Sequence, residues 1–378
     1  MVGWEYPPHH TGGLGVHSYE ICRELGRMGH RITFLTPFHG PFTPTDGVEF
    51  RWPGGPGTPV NAPYAYETVS GPSERFDRSL TDYNRWTADF RPDGPVDIVH
   101  VHDWFGTVGA VALARKLRVP LVMTIHSTEY DRTLGFPGSD LLERERRGLL
   151  GADRVIAVSR HLKQQLIDRY QVPAGKIRVV YNAVRPPERL ERLERSGPIV
   201  LYLGRLAAMK GVDTFLRAAS RAAPIVPEAT FVVAGEGPEY PYLLTLAAHL
   251  NLSDRVLFLG KVTDEERTVL LASASVFVLP SVVEPFGIVA LEAMSAGVPT
   301  IVSKTSGVAE ITAETFAVDF WDIDEFASRI VELLQYPELR SMMGQRGRWE
   351  AIRSGWAERA LETVGIYGDL LSARSVAP

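Results

Sequence analysis

Short runs of β-branched and other apolar residues alternate with amphipathic stretches along almost the whole chain. This alternation restricts the fold more than any other feature. Residues 32–37, 96–101, 121–125, 154–158 and 177–181 read as buried strands, and 15–28, 106–118, 141–150 and 161–170 as helices. Strands separated by helices imply parallel sheets built from βαβ units, because a parallel neighbour needs a crossover long enough to hold a helix. The pattern pauses over 185–198, a stretch of prolines and alternating Glu and Arg. It restarts with strands at 199–203, 230–234, 256–259, 276–279 and 300–302, separated by helices at 212–223, 242–250, 264–274 and 288–296.

The expected fold class is therefore α/β, with two Rossmann-like doubly wound domains facing a central cleft. The N-terminal domain spans 1–184, a linker 185–197 and the C-terminal domain 198–356, with a final helix over about 357–378 packing back on the first domain. Ligands in such sheets bind outside the carboxyl ends of the strands. Residues 38–72, rich in Pro and Gly, read as a long irregular excursion of the first domain.

Bulk properties exclude several function classes. A formal net charge of -5 argues against a nucleic-acid partner. The basic groups at Arg115, Lys116 and Arg118 and at Arg144, Arg146 and Arg147 read as solvated helix faces. The one cysteine, Cys22, permits no intramolecular disulfide and reads as a small core residue. No apolar run is long enough to span a bilayer, and the N-terminus lacks the pattern of a signal peptide. A cytoplasmic location is expected, with peripheral membrane contact left open.

Within the C-terminal half, a strand over 275–280 runs into Glu284-Pro285-Phe286-Gly287-Ile288, which opens a helix. Pro285 suits the first helical position, where its missing N–H costs nothing. Gly287 lets a ligand approach the backbone. The amides of Phe286, Gly287 and Ile288 form an anion site at the helix start. Glu284 precedes that site and Glu292 lies about two turns inside, roughly 80° away around the axis, so both face one cleft. One carboxylate could hold sugar hydroxyls and the other ribose hydroxyls. A second element leaves the strand 201–203 through Gly204-Arg205 to Lys210-Gly211. It sets two permanent cations at a strand end, as a departing diphosphate requires. It is not a Walker P-loop.

The N-terminal half offers Thr11-Gly12-Gly13-Leu14-Gly15 opening a helix, which permits close approach to a phosphate but does not meet the dinucleotide fingerprint. His100 and His102 share one face of the strand ending in Asp103-Trp104, and His126 ends the next strand. Polar groups at a cleft rim are preferred over a metal site, because no complete ligand spacing accompanies them. Asp322-Ile323-Asp324 reads as helix capping rather than a metal-binding pair.

Taken together, the Glu-x7-Glu element, the Gly-Arg-Leu…Lys-Gly element, Gly-Gly-Leu-Gly and the strand-terminal His resemble glycosyltransferase family 4, which has the GT-B fold. The resemblance covers nearly the whole chain. It implies that Glu284 binds donor-sugar hydroxyls and Glu292 the ribose. Arg205 and Lys210 would bind the diphosphate, assisted by the Phe286–Ile288 backbone, and Gly15 would lie near the phosphates. His126 would sit near the donor sugar, and Lys261 and Val262 would border the base. It further implies retention of anomeric configuration, no cofactor and no metal. Trp4-Glu5-Tyr6-Pro7-Pro8 and His102-Asp103-Trp104 resemble the glycogen and starch synthase branch, where Asp103 matches an acceptor-side position. The expected reaction moves a hexosyl group, glucosyl by preference, from a nucleotide-diphosphate sugar (ADP-glucose, UDP-glucose or GDP-mannose) to a saccharide or glucan. Mannosyl transfer to a lipid or polysaccharide is an alternative, as are a GT-B epimerase or phosphorylase and a non-catalytic sugar-nucleotide sensor. One departure is that only Met1-Val2-Gly3 precedes Trp4, so the first strand reads as clipped: either the start is misassigned or the central strand is short, and a short strand would weaken the first core.

Overall fold

The computed structural model describes residues 1–9, 12–54, 74–187, 189–193, 197–353 and 355–375. The chain divides into two compact units, Met1–Asn182 with Trp356–Pro378, and Ala183–Gly355. Both are doubly wound α/β units, as the alternation predicts.

The first unit runs α1 (Gly13–Arg27), β1 (Ile32–Leu35), β2 (Val48–Arg51), α2 (Glu74–Asp89), β3 (Val99–His102), α3 (Thr107–Leu117), β4 (Leu121–Ile125), α4 (Glu129–Arg132), α5 (Ser139–Gly151), β5 (Arg154–Ala157), α6 (Arg160–Tyr170) and β6 (Ile177–Val179). Strands β3 to β6 form a parallel ladder in chain order, and β1 pairs in parallel with β2. Val2 joins the two pieces by parallel bridges to Leu35 and Val101. Its N–H donates to the His100 carbonyl at 2.8 Å, and its carbonyl accepts from His102 N–H at 2.9 Å. Before α1, the chain therefore contributes a bridge one residue wide, at the point where strand order reverses. The core beside it is filled by aromatic rings. Trp4 is fully buried, with its ring 5.1–6.2 Å from those of Phe38, Phe76, Tyr83 and Phe105. Aromatic burial at this density offsets the short ladder.

The proline- and glycine-rich excursion is less irregular than expected. The alternation Val48-Glu49-Phe50-Arg51 pairs with β1 as β2, and Phe50 packs on Tyr6 and Phe42. Residues 55–72 of that segment lie outside the described residues, as does Thr11. Lys116 donates from Nζ to the carbonyls of Ala88, Asp89 and Phe90, closing the end of α2. This basic residue caps a helix. Cys22 is a buried core residue beside Ile21 and Leu25.

The second unit runs β7 (Ile199–Leu203), α7 (Val212–Ala222), β8 (Thr230–Ala234), α8 (Tyr240–His249), β9 (Val256–Gly260), α9 (Asp264–Ser273), β10 (Val276–Leu279), α10 (Ile288–Ser295), β11 (Thr300–Ser303), β12 (Thr315–Val318), α11 (Ile323–Gln335) and α12 (Pro337–Ile352). All six strands are parallel, in the order β12-β11-β10-β7-β8-β9. The order reverses between β7 and β10, and the crevice beyond those two carboxyl ends is where such a sheet takes a ligand. Tyr202, Phe215, Phe231 and Phe326 are fully buried in its core. Asp322 accepts the Glu325 amide at 3.0 Å as the N-cap of α11, so it caps a helix as expected. In the described residues of 185–197, no helix or strand forms. The final helix, α13 (Trp356–Ser375), belongs to the first unit and packs on α1.

Candidate functional site

The two loops that leave β7 and β10 meet at the reversal point of the second unit. After β7, the Tyr202 hydroxyl donates to the Arg205 carbonyl at 2.9 Å, and Leu206 N–H donates to the Glu236 carbonyl at 2.9 Å. These bonds fix Arg205 between the ends of β7 and β8. A short turn, Ala208–Lys210, follows, and Gly211 at φ +64° starts α7. The β10 loop is laced to that turn, because the amides of Val282 and Val283 both donate to the Met209 carbonyl, at 2.9 and 3.3 Å.

This lacing brings together two of the residues singled out by sequence. Lys210 Nζ lies 2.7 Å from Glu284 Oε2, which also accepts from the Ser281 hydroxyl at 3.2 Å. The side chains are 22% and 10% exposed. With one lysine donor used, two more remain for an anion, and Glu284 keeps Oε1 for a hydroxyl donor.

Pro285 does not begin the helix. Glu284 forms a parallel bridge with Ser306, Gly307 N–H donates to the Glu284 carbonyl at 3.0 Å, and Val308 N–H to the Phe286 carbonyl at 2.7 Å. These bonds hold 284–286 against the segment after β11, and α10 starts only at Ile288. Gly287, at φ +98°, makes the reversal between them. The 80° separation inferred around a shared axis therefore does not apply, since Glu284 precedes the helix. The amides of Gly287 and Ile288 stand at the helix start, where they have no acceptor one turn back. Phe286 is buried.

Glu292, one turn into α10, faces Arg267 of α9 at 3.5 Å. Burial raises its carboxyl above the ordinary range, with Arg267 opposing. Lys261 and Val262 follow β9, the edge strand two positions from β7. Lys261 is exposed and Val262 half-buried.

In the first unit, the polar groups gather at that sheet's own reversal point. Asp103 ends β3 at φ +55°, a left-handed conformation that Asp tolerates better than most residues. Its Oδ1 accepts the His126 amide at 2.7 Å and the Ser127 amide at 3.4 Å, tying the ends of β3 and β4 together. It is 2% exposed, and burial pushes its carboxyl up to about 7. Asp103 therefore acts on the backbone that carries His126. Gly15 is buried in the first turn of α1.

Four histidines cluster there. His100 is satisfied at both nitrogens, by the Tyr367 hydroxyl at 2.5 Å and the Thr124 hydroxyl at 2.7 Å. His102, fully buried and stacked on His100, has no partner among the described residues at either nitrogen, and His126 has none among them at Nε2. His17 of α1 bonds through Nδ1 to Asn182 Oδ1 at 2.7 Å, with its ring 4.3 Å from that of His126. Burial lowers all four, His17 to about 4 and the others well below 6.5. Their mutual repulsion lowers His100, His102 and His126 further.

Sequence reasoning missed His17, Asn182, Ser281 and Arg267. His17 had a signal, because it stands four residues before Ile21 on the buried stripe of α1, where a polar side chain demands an explanation.

Comparison with known proteins gives a consistent answer. The model of "Glycosyltransferase Family 4" matches residues 11–187, and that of "Glycosyl transferases group 1" matches 188–349. An uncharacterized glycosyltransferase of Methanocaldococcus jannaschii is 31% identical over 97% of both chains. A glycogen synthase of Mycobacterium tuberculosis is 32% identical over 82% of this chain and 78% of its own. Among solved structures, sucrose-phosphate synthase from Thermosynechococcus elongatus has a TM-score of 0.79 at 23% identity, covering 98% of this chain and 99% of its own. That likeness carries the GT-B fold.

Proposed function

The chain belongs to the group 1 glycosyltransferases of family 4, and from that premise we propose that it moves a glucosyl group from a nucleotide-diphosphate sugar to a glucan or other saccharide, with retention and without a metal. The observation that carries the proposal is the Lys210–Glu284 pair, 2.7 Å apart at the strand-order reversal of the second unit. A leaving diphosphate develops charge that a fixed cation stabilises most strongly in the transition state. Lys210 and Arg205 supply that charge, assisted by the amides of Gly287 and Ile288. Glu284 accepts sugar hydroxyls, Glu292 those of the ribose, and Lys261 and Val262 border the base. In the first unit, His126 is assigned to the sugar and Gly15 to the phosphates. Asp103, on the acceptor side, fixes the backbone of His126. The Mycobacterium tuberculosis relative is a glycogen synthase, which supports a glucosyl donor and a glucan acceptor.

The test is a screen of ADP-glucose, UDP-glucose and GDP-mannose against glucans and oligosaccharides, read by mass spectrometry, with product configuration read by NMR. Glucosyl transfer with retention is expected. An inverted product, a free epimer, a sugar phosphate or mannosyl transfer would each replace this reading. Saturating EDTA is expected to leave the rate undiminished, since the cations are side chains; a large loss would overturn the metal-free mechanism.

Glu292 makes a pH prediction. Its folded carboxyl is raised, so the ionised form that accepts ribose hydroxyls is lost as pH falls sooner than for an ordinary Glu. Donor KM should rise on mild acidification. Glu292→Gln should raise KM at neutral pH by roughly tenfold, the worth of one charged hydrogen bond, and leave it flat with pH. Stability moves the other way. Ionisation of a group whose folded pKa exceeds its unfolded one costs stability from the unfolded value upward. The variant should thus melt higher at neutral pH, and that gain should vanish in acid. A variant with unchanged KM and lower melting would refute both parts.

A further inference from the structure

We propose that His17, His102 and His126 form a binding site for one divalent ion of the Zn2+ class, and that its occupancy inhibits transfer. The ligand atoms of the three imidazoles lie within 4.8 Å of one another. The centre of such a triangle is at most about 2.8 Å from each corner, against about 2.1 Å for a Zn–N bond, so each nitrogen moves by roughly 0.7 Å or less. Small ring rotations supply that.

The hydrogen bonds separate ligands from bystander. His100 is bonded at both nitrogens and has nothing to offer an ion. Among the described residues, fully buried His102 has no partner at either nitrogen, and the buried Nε2 of His126 has none either. Orphaned buried nitrogens are costly and call for an occupant. With its Nδ1–H donating to Asn182 Oδ1, His17 has its lone pair on Nε2. A metal-ligating His characteristically donates its other ring N–H to an oxygen in this way. The neutral imidazole is the form that ligates. Three neutral imidazoles suit ions of borderline softness such as Zn2+, Co2+ and Ni2+ rather than Mg2+ or Ca2+, and leave a fourth position for water.

The inhibitory consequence rests on the sugar-contacting role given to His126. An ion on that imidazole removes its nitrogen from the sugar. A metal-free mechanism and a metal site are then compatible, because the ion acts as a brake.

The test begins with metal-stripped full-length protein titrated with Co2+, followed by the visible absorption of nitrogen-ligated Co2+, with Zn2+ competing. One ion per chain is expected. His17→Gln and His102→Gln should each bind at least roughly tenfold more weakly, since even an outer partner costs about 10–100-fold. Asn182→Leu, which keeps all three ligands, should weaken binding by about tenfold. Melting curves identify the variants that fold, and any one folded variant suffices. Absence of binding in the wild type, or equal affinity in the folded variants, overturns the site. For the brake, one equivalent of Zn2+ should lower turnover at least tenfold and EDTA should restore it. Full turnover at saturating Zn2+ overturns the inhibition. Intact Co2+ binding without turnover on any donor supports the site and refutes the proposed reaction.

Discussion

Replacing Glu284 by alanine is expected to lower donor kcat/KM by about a hundred- to a thousandfold while the protein stays folded, the effect of removing one fixed polar group from a charge-stabilising site. Lys210→Ala should do the same. The two groups form one unit, Lys210 Nζ on Glu284 Oε2 at 2.7 Å with the Ser281 hydroxyl alongside. Removing Glu284 deletes the hydroxyl acceptor and frees Lys210 to swing away from the phosphate position. Removing Lys210 deletes the cation and leaves Glu284, 10% exposed, without its counterion. Each substitution costs about 1–2 kcal/mol of stability, because both ends of the pair retain some solvent. The backbone bonds from Val282 and Val283 to Met209 survive, so the loops stay joined. Melting should fall by only a few degrees. The double variant should be little worse than either single, as for groups that act together. Glu284→Gln, which keeps an acceptor oxygen, should lie between wild type and alanine. Near-normal kcat/KM in both alanine variants would remove Glu284 and Lys210 from the reaction.

That pair shows how much of the site is legible in a sequence. The residue types and the strand ends were readable, because a buried parallel strand is a short apolar run and β7 and β10 are such runs. The chemistry was readable because few purposes put Arg and Lys after one strand and Glu after another. The distance between the loops was not readable. It depends on strand order, and β7 and β10 are neighbours only because the chain reverses there. Pro285 misled for a related reason. Local propensity favours a helix start at Pro285, but the bridge from Glu284 to Ser306 and the bond from Val308 N–H to the Phe286 carbonyl delay it to Ile288. Those partners lie some twenty residues away, beyond the reach of a local rule.

The N-terminal unit teaches the complementary lesson. A short stretch before Trp4 reads as a weak point, yet Val2 bridges two strands and Trp4 sits in an aromatic nest. The members of that nest, Phe38, Phe76, Tyr83 and Phe105, are scattered along the sequence and show no periodicity that would announce them. His17 was hidden differently. Its meaning lies in what surrounds it, Asn182 from one side and His126 from the other. The strand-end residues His102 and His126 are legible as such in the sequence, and the helix that covers them supplies His17, the third ligand of the proposed ion site.

Gly211→Ala should lower both stability and turnover. Gly211 stands at φ +64°, a conformation that costs an alanine about 1 kcal/mol. A Cβ there would also overlap the carbonyl oxygen of Pro280, at the end of β10. Backbone cannot rotate away as a side chain can, so the loops must part, at about 1–3 kcal/mol more. The combined loss of about 2–4 kcal/mol should lower the melting temperature by roughly 5–15 °C. The chemistry suffers because Lys210 adjoins Gly211 and Pro280 leads through Ser281 to Glu284. Parting the loops by a fraction of an ångström pulls the lysine off its carboxylate, and misplacement by about 1 Å can cost a hundredfold in rate. Gly29→Ala separates the two causes. Gly29 has φ +88° but open space where its Cβ would go, so it should lose only about 1 kcal/mol and keep full turnover. Calorimetry and donor kinetics on the two variants decide the matter. If Gly211→Ala melts and turns over like Gly29→Ala, the backbone contact between the β7 and β10 loops does not hold the charged pair in register.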